Sequence, residues 1–308
     1  MFLGIDLSCY TTSCAVADGQ GKIVYDGRKL LSVPKNEKGL RQSEMVFSHI
    51  KNLKDVFPAG FLGVRAVAVS ERPRPTAGSY MPVFTAAYSY ADVVAKSLGV
   101  PLYALTHQHG HIASALINNE VEGELLALHV SGGTTDVLKV CVSDGVVGKI
   151  TGIGQASDIS AGMFIDRIGV KLGCKFPCGG QLEAMSNDSP ISIPSRILGL
   201  NASFSGAQTA AQRLIDEGAD AAGVAAGVLR CCANTLEKLI RKAVFDTGIK
   251  RVLLFGGVMC NGIIRKRLSE RLPYELFFAD KKYSSDNACG LAIQAKKLYE
   301  RGIENGSS

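Results

Sequence analysis

Two stretches far apart in the chain follow one plan. The first, FLGIDLSCYTTSCAVADGQGKIV, begins at Phe2, and the second, LLALHVSGGTTDVLKVCVSDGVVGKI, begins at Leu125. Each runs through an apolar strand, a polar turn containing Thr-Thr and a second apolar strand. A glycine turn (Asp18-Gly19 or Asp144-Gly145) and a third strand follow. Asp-Gly between apolar runs is a strong short-range hairpin signal, because both residues tolerate positive φ. Two such units, each opening one half of the chain, predict an internal duplication. Strands that alternate with helical stretches place the whole in the α/β class.

The rest of the chain supports that frame. Its 308 residues suffice for two domains, each with its own core. With 46% hydrophobic and 20% charged residues it reads as a folded globular protein. Helices are predicted over Gln42–Lys54, Met81–Leu98, the stretch SDISAGMFIDRIGVKLG, two successive segments between Leu200 and Gly248, and the final SSDNACGLAIQAKKLYERG. Strands are predicted at Val64–Ser70, at VPLYALT, and at Arg251–Gly257, whose glycine turn into a helix is where doubly wound sheets place ligands. The alanine-rich stretch Ala219–Leu229 is too short and too broken by glycine to span a bilayer. The start, MFLGIDLS, reads as a strand and lacks the pattern of a signal peptide. Nine scattered cysteines without paired spacing suit reduced thiols in a cytosolic protein. A net charge of +6 is compatible with a nucleic-acid or nucleotide partner, and the short clusters Arg265–Arg267 and Lys281–Lys282 read as solvated faces, with a functional basic patch as the alternative.

The duplicated unit resembles the layout of the actin-like ATPase superfamily (ASKHA, ribonuclease H-like), in which two related lobes each turn a phosphate-contacting loop between their first two strands. The expected division is residues 1–106 for one lobe and 107–308 for the other, with the C-terminal helix packing back on the first. Small residues suit a phosphate loop, since backbone N–H groups approach an anion only where side chains are absent. Ser131-Gly132-Gly133-Thr134-Thr135 meets that need, and Ser8-Cys9-Tyr10-Thr11-Thr12 meets it less well because Tyr10 is bulky. A tight hairpin turn without a ligand is the alternative for both.

The segment THQHGHIASAL, from Thr106, holds three of the five histidines. If Thr106 caps a helix, His107 and His111 share one face, a spacing at which two imidazoles chelate a divalent ion. His109 then points elsewhere. Two histidines are half a site. Asp286, acidic at a helix start, is a candidate to complete it, as is His129, which precedes the Ser-Gly-Gly turn. Hydrogen-bonded structural histidines are the alternative. A helical zinc peptidase would carry Glu beside the first His as its base, and Gln108 stands there instead.

Taken in order, the motifs resemble the TsaD-type family of threonylcarbamoyl transferases over nearly the whole chain. GIDLSC is similar to the family's Gly-Ile-Glu-Thr-Ser-Cys, HQHGH to His-x-Glu-Gly-His, and HVSGGTT to Val-Ser-Gly-Gly. SAGMFIDRIGVKLG is similar to Ala-Gly-Glu-Ala-Phe-Asp-Lys…Leu-Gly, FPCGG to Tyr-Pro-Gly-Gly, and SFSGAQT to Ser-Phe-Ser-Gly-Leu-Lys-Thr. GGVMCNGIIRKRL and SSDNACGLA are similar to Gly-Gly-Val-Ala-x-Asn…Leu-Arg and Thr-Asp-Asn-Ala-Ala-Met-Ile-Ala. The resemblance implies a divalent metal, iron or zinc, on His107, His111 and Asp286, with His129 as a fourth donor. It implies an adenine nucleotide or adenylate against Val130, Ser131, Gly132 and Gly133, with Asp166 on the ribose, Gly179 and Glu183 bordering the nucleoside, and Asn261 completing the pocket. His109 occupies the family's Glu position, as a group behind the metal ligands or on the substrate side.

There are departures. The family's acidic pair after Ser-Cys is Tyr10-Thr11, its Glu in Ala-Gly-Glu is Met163, and the His after Val-Ser-Gly-Gly is Thr134. Its Gly-Pro-Gly loop has no counterpart in RPRPTAGSYMP, and the connection before the first helix is short. The resemblance therefore implies a divergent paralogue. Its expected activity is transfer of a threonylcarbamoyl group from its adenylate to the tRNA adenosine next to the anticodon, as an acyltransferase in the cytoplasm. The alternatives are a carbamoyl-type transferase with a non-tRNA acceptor, and a nucleotide-binding partner subunit. Expected partners are tRNA, a related actin-like subunit and a small ATPase, with no membrane.

Overall fold

The computed structural model describes residues 1–8, 10–32, 40–60 and 63–304. Cys9 and most of the connection before the first helix, both singled out above, lie outside the described residues.

The chain divides into two units. Unit 1 comprises Met1–Glu122, Val142–Gly148 and the chain from Ser285, and unit 2 comprises Gly123–Cys141 and Lys149–Ser284. Unit 1 is built on β1 (Phe2–Leu7), β2 (Thr11–Ala17), β3 (Ile23–Leu30), α1 (Gln42–Val56), β4 (Ala66–Arg72), α2 (Pro82–Leu98), β5 (Leu102–Thr106) and α3 (His107–Leu116). Its sheet runs in the order β3-β2-β1-β4-β5, antiparallel across the hairpins and parallel where helices cross over. The central β1 is buried at all six positions, as expected of a strand covered on both faces. Leu3, Ile5 and Leu7 pack with Leu53, Val56, Ala87 and Ala91 of α1 and α2. The opposite pleat carries Gly4, where a Cβ would lie 2.4 Å from the Ala288 carbonyl oxygen, so the C-terminal helix rests directly on β1 there.

Unit 2 is built on β6 (Gly123–Val130), β7 (Thr135–Ser143) and β8 (Val146–Gln155), then α4 (Ala161–Lys171), α5 (Gly179–Met185), β9 (Arg196–Leu198) and β10 (Asn201–Ser203). There follow α6 (Ser205–Asp216), α7 (Ala221–Thr247), β11 (Arg251–Phe255), α8 (Gly262–Arg271) and β12 (Glu275–Phe278). The last helix, α9 (Cys289–Glu304), returns to unit 1. The second five-stranded sheet runs β12-β11-β6-β7-β8, the same topology as the first read from its other edge. The duplication expected from the two hairpin units is therefore present strand for strand. The β7–β8 turn uses Asp144 at φ 54° and Gly145 at φ 72°, both positive as a two-residue hairpin turn requires.

Three features differ from the sequence reading. The lobe boundary expected at 106/107 falls after α3, because β5 feeds α3 straight onto α9 within unit 1. The stretch from Leu200, expected as helix, first forms β10, and α6 starts only at Ser205. Asp158 sets that start by accepting hydrogen bonds from the N–H groups of Phe204 and Ser205 and from the Ser203 hydroxyl. The short β9, β12 and α5 carry too little periodicity to stand out from their surroundings.

Candidate metal centre and nucleotide cavity

The candidate metal donors in unit 1 are set by a strand-to-helix junction and a close helix crossing. Thr106 ends β5 in extended conformation, and its hydroxyl accepts the His109 N–H at 3.2 Å, capping α3. One turn of helix brings the His107 and His111 rings to a centroid distance of 4.4 Å. Asp286 reaches them from just before α9, its Oδ1 at 3.1 Å from His111 Nε2 and 3.8 Å from His107 Nε2. The three ligand atoms lie within 4.8 Å of one another. α3 and the Asp286 segment are stapled by Ser114, whose hydroxyl donates to Asn287 Oδ1 at 2.8 Å and accepts from the Gly290 N–H at 2.9 Å. Gly290 permits the approach, since a Cβ there would lie 2.1 Å from the Gly110 carbonyl oxygen.

Behind the donors stands Asp6, a residue the sequence reading passed over. It is 1% exposed on the central strand, receives the Ser70 hydroxyl, and meets His107 Nδ1 at 3.1 Å. Asp6 Oδ2 is buried with no hydrogen-bond partner. Holding Nδ1 against a carboxylate fixes the ring and leaves Nε2 for a ligand, the usual support of a metal-bound imidazole. Burial disfavours the charged His107 ring, but the Asp6 charge and hydrogen bond, with Asp286, outweigh it and raise its pKa to about 9. Burial likewise pushes the Asp286 carboxyl up. The His111 hydrogen bond, the charges of both imidazoles and Ser8 outweigh this and hold it well below the usual carboxylate range. The forewarnings of Asp6 were a lone acid in an otherwise apolar strand and its place at the Glu of the motif that GIDLSC resembles.

The β1–β2 turn also attends the carboxylate. Ser8 Oγ and Thr11 Oγ1 donate to Asp286 Oδ2 at 3.1 and 3.5 Å. Thr11 thus supports the carboxylate donor, while Tyr10 is 38% exposed. His109 is held by its neighbours, its ring nitrogens 2.6 Å from Thr106 Oγ1 and 3.1 Å from the Gly148 carbonyl. His129 belongs to unit 2, where its buried ring stacks on Phe255 at 4.8 Å.

Two imidazoles and one carboxylate, one imidazole oriented by a buried acid, fit a divalent metal ion with coordination positions left open. Among the described residues this is the one group of three such donors.

Unit 2 holds a cavity of about 490 Å³, lined by residues that include Gly132, Asp166, Gly179, Glu183 and Asn261. Of the expected nucleotide residues, Val130, Ser131 and Gly133 flank Gly132 but lie outside the lining. Side chains added at Gly132, Gly179, Gly180 or Gly257 would meet nothing within 4 Å, so their absence leaves backbone bare to the cavity. The loop's fold depends on Gly162 at the start of α4, where a Cβ would sit 2.4 Å from the Ser131 carbonyl. Asn261 caps α8 through Oδ1, which accepts the Ile264 N–H at 3.0 Å, and leaves a buried Nδ2 without a partner. Glu183 is engaged as well, accepting the Gly262 N–H at 2.7 Å. Burial raises the Asp166 pKa despite the hydrogen bond it accepts from the Cys178 N–H. Lys281, Phe176 and Cys260 also line the cavity, and only the fold identifies them. Bare backbone, an orphaned amide donor and an acid in one cavity fit a nucleotide.

The fold is the actin-like one, with two related five-stranded sheets. The chain is similar to full-length HypF solved with phosphate and nucleotide, with a TM-score of 0.63 at 15% identity over 99% of this chain and 56% of HypF. It is also similar to component A of the (R)-2-hydroxyglutaryl-CoA dehydratase of Acidaminococcus fermentans, with a TM-score of 0.58 at 17% identity over 97% of this chain and 98% of that one. Residues 49–293 match the family described as TsaD, tRNA N6-adenosine threonylcarbamoyltransferase, and the chain belongs to that family. A protein of that name from Thermus thermophilus is 31% identical over 70% of this chain and 67% of its own length. The one from Geobacter metallireducens is 28% identical over 100% of this chain and 94% of its own. The chain thus spans about two thirds of the Thermus relative and about half of HypF. Among the described residues no helix is long and apolar enough to cross a membrane.

Proposed function

We propose that this protein transfers a threonylcarbamoyl group from threonylcarbamoyl-adenylate to the N6 amine of the tRNA adenosine beside the anticodon, releasing AMP. The observation that carries the reading is the His107–His111–Asp286 donor set, braced by buried Asp6, in a chain of this family. His107, His111 and Asp286 would hold one iron or zinc ion, with His129 proposed as a fourth donor. When bound, the metal supplies Lewis-acid polarisation of a carbamoyl or phosphate oxygen. Asp6 holds His107 in the ligating tautomer, and Ser8 and Thr11 orient the Asp286 carboxylate. Gly132 and Gly133 offer backbone N–H groups to phosphate, Asp166 accepts from the ribose hydroxyls, and Asn261 Nδ2 donates to the nucleoside. The adenosine amine is itself the nucleophile, so no side-chain nucleophile is required. We place the reaction in the cytoplasm, with a related actin-like subunit and a small ATPase as partners.

The loss of the family's acidic pair at Tyr10 and Thr11 favours a second reading, in which the acceptor is a small molecule or the chain is a nucleotide-binding partner subunit. Metal-loaded protein incubated with threonylcarbamoyl-adenylate, with and without tRNA, separates these. AMP together with labelled tRNA is expected. AMP without labelled tRNA moves the acceptor elsewhere, and neither product, with partner subunits supplied, leaves the binding role.

A further inference from the structure

The basic run Arg265–Arg267 and the middle of α7 take no part in the two sites above. A second cavity of about 260 Å³ opens in unit 2 beside them, lined by Arg230 and Asn234 of α7 and by the segment Pro190–Ile193. Gly227 brings that segment close, since a Cβ there would lie 2.3 Å from the Ile191 carbonyl oxygen. Arg230 and Asn234 are one helical turn apart and share a face. Asn234 Oδ1 accepts from Arg267 Nε at 2.8 Å, which ties a guanidinium of α8 to one of the residues that line the cavity.

The charges around this point are unbalanced. Glu237 pairs with Arg241 at 3.0 Å and Arg271 at 2.6 Å and is spent on them. Among the described residues neither Arg230 nor Arg267 is in an ion pair, and no carboxylate lines the cavity. Burial, and then the charges of Arg230 and Arg271, disfavour the charged form of Arg267 more than Glu237 and Glu270 favour it. A doubly charged oxyanion would relieve both guanidinium groups at once, where a single carboxylate satisfies one.

We propose that Arg230 and Arg267 bind a phosphate group in this cavity, with the Asn234 amide and the Ser192 hydroxyl as further donors. Asn234 spends its carbonyl on Arg267, so its NH2 group is the end left to meet an anion. The phosphate belongs either to a small phosphorylated molecule or to a polynucleotide backbone, and the recognition chemistry is common to both.

Equilibrium dialysis of the full chain against radiolabelled inorganic phosphate tests this at constant ionic strength. A saturating non-hydrolysable adenine nucleotide is included to occupy the Gly132-lined cavity. Arg230→Gln and Arg267→Gln should each weaken phosphate binding by roughly tenfold. Arg230→Lys should weaken it less, since charge survives but the planar fork does not. In parallel, tRNA binding is followed against salt concentration. A slope of log K against log salt reduced by about one per arginine removed assigns the phosphate to RNA. An unchanged slope with lost phosphate binding assigns it to a small molecule. Unchanged phosphate binding, or none by the wild type, together with an unchanged tRNA slope overturns the proposal. None of these readouts involves transfer activity, so the outcome is independent of the function proposed above.

Discussion

Gly110 and Gly290 face each other where α3 crosses α9, yet the structure assigns them very different tolerance. At Gly110 an added methyl would meet only the Leu291 side chain, nearest at 3.3 Å, and a leucine can give by a few tenths of an ångström. At Gly290 it would meet backbone and a fixed hydroxyl: the Gly110 oxygen at 2.1 Å, the Ser114 nitrogen at 2.4 Å and Ser114 Oγ at 2.6 Å. Restoring ordinary contact from 2.1 Å requires the start of α9 to move by ~1 Å or more. That motion breaks the Ser114 hydrogen bonds and carries Asp286 away from His111. A metal site tolerates donor errors of only about 0.2 Å. Gly290→Ala should therefore cost about 2–3 kcal/mol of stability through overpacking and lower metal affinity by more than tenfold, with every donor intact. Gly110→Ala should stay within about 1 kcal/mol of wild type, because improved helix propensity offsets the tight contact. Chelator-competition titrations with zinc, run beside thermal unfolding of the metal-free proteins, measure both effects. Wild-type metal affinity and stability in Gly290→Ala would refute the assigned role of the crossing, as would equal damage from the two substitutions.

Other expectations follow from the same geometry. His107→Ala combined with His111→Ala should abolish stoichiometric metal by elemental analysis. Asp6→Asn should reduce metal affinity by about 10- to 100-fold, and should have little further effect in a His107→Ala background, because the two residues act through one contact. Burial pushes the Asp158 carboxyl up, but hydrogen bonds from the Ser205 hydroxyl, the Phe204 and Ile159 N–H groups and the Ser203 hydroxyl hold it well below the ordinary range. Its stabilisation is therefore complete above the unfolded pKa of about 4 and lost as pH falls further. Asp158→Asn should be less stable than wild type in urea at pH 7 and should flatten the acid limb. Equal acid sensitivity of the two proteins would count against this account.

The sequence alone determined the duplicated hairpin units, the α/β class and the pair His107 and His111, because these depend on periodicities and spacings that a chain displays along its own length. Asp286 was also within reach, as an acid at the start of a helix. What the linear pattern could not supply was every relation that depends on two distant segments touching. The lobe boundary moved because a glycine crossing ties α3 to α9, and glycine gives no signal of what it lets approach. Asp6 looked like one polar interruption in a buried strand until the fold set it beside His107, and His109 shared a motif with His107 and His111 until the fold set it against Thr106 and Gly148. The Arg265–Arg267 run read as solvent-facing charge, and only the packing of α7 against α8 showed that Glu237 pairs with two other arginines, while among the described residues Arg230 and Arg267 are in no ion pair. Local propensity and hydrophobic period are properties of neighbours in sequence. Ligand geometry and charge balance are properties of neighbours in space, and tertiary structure alone sets them.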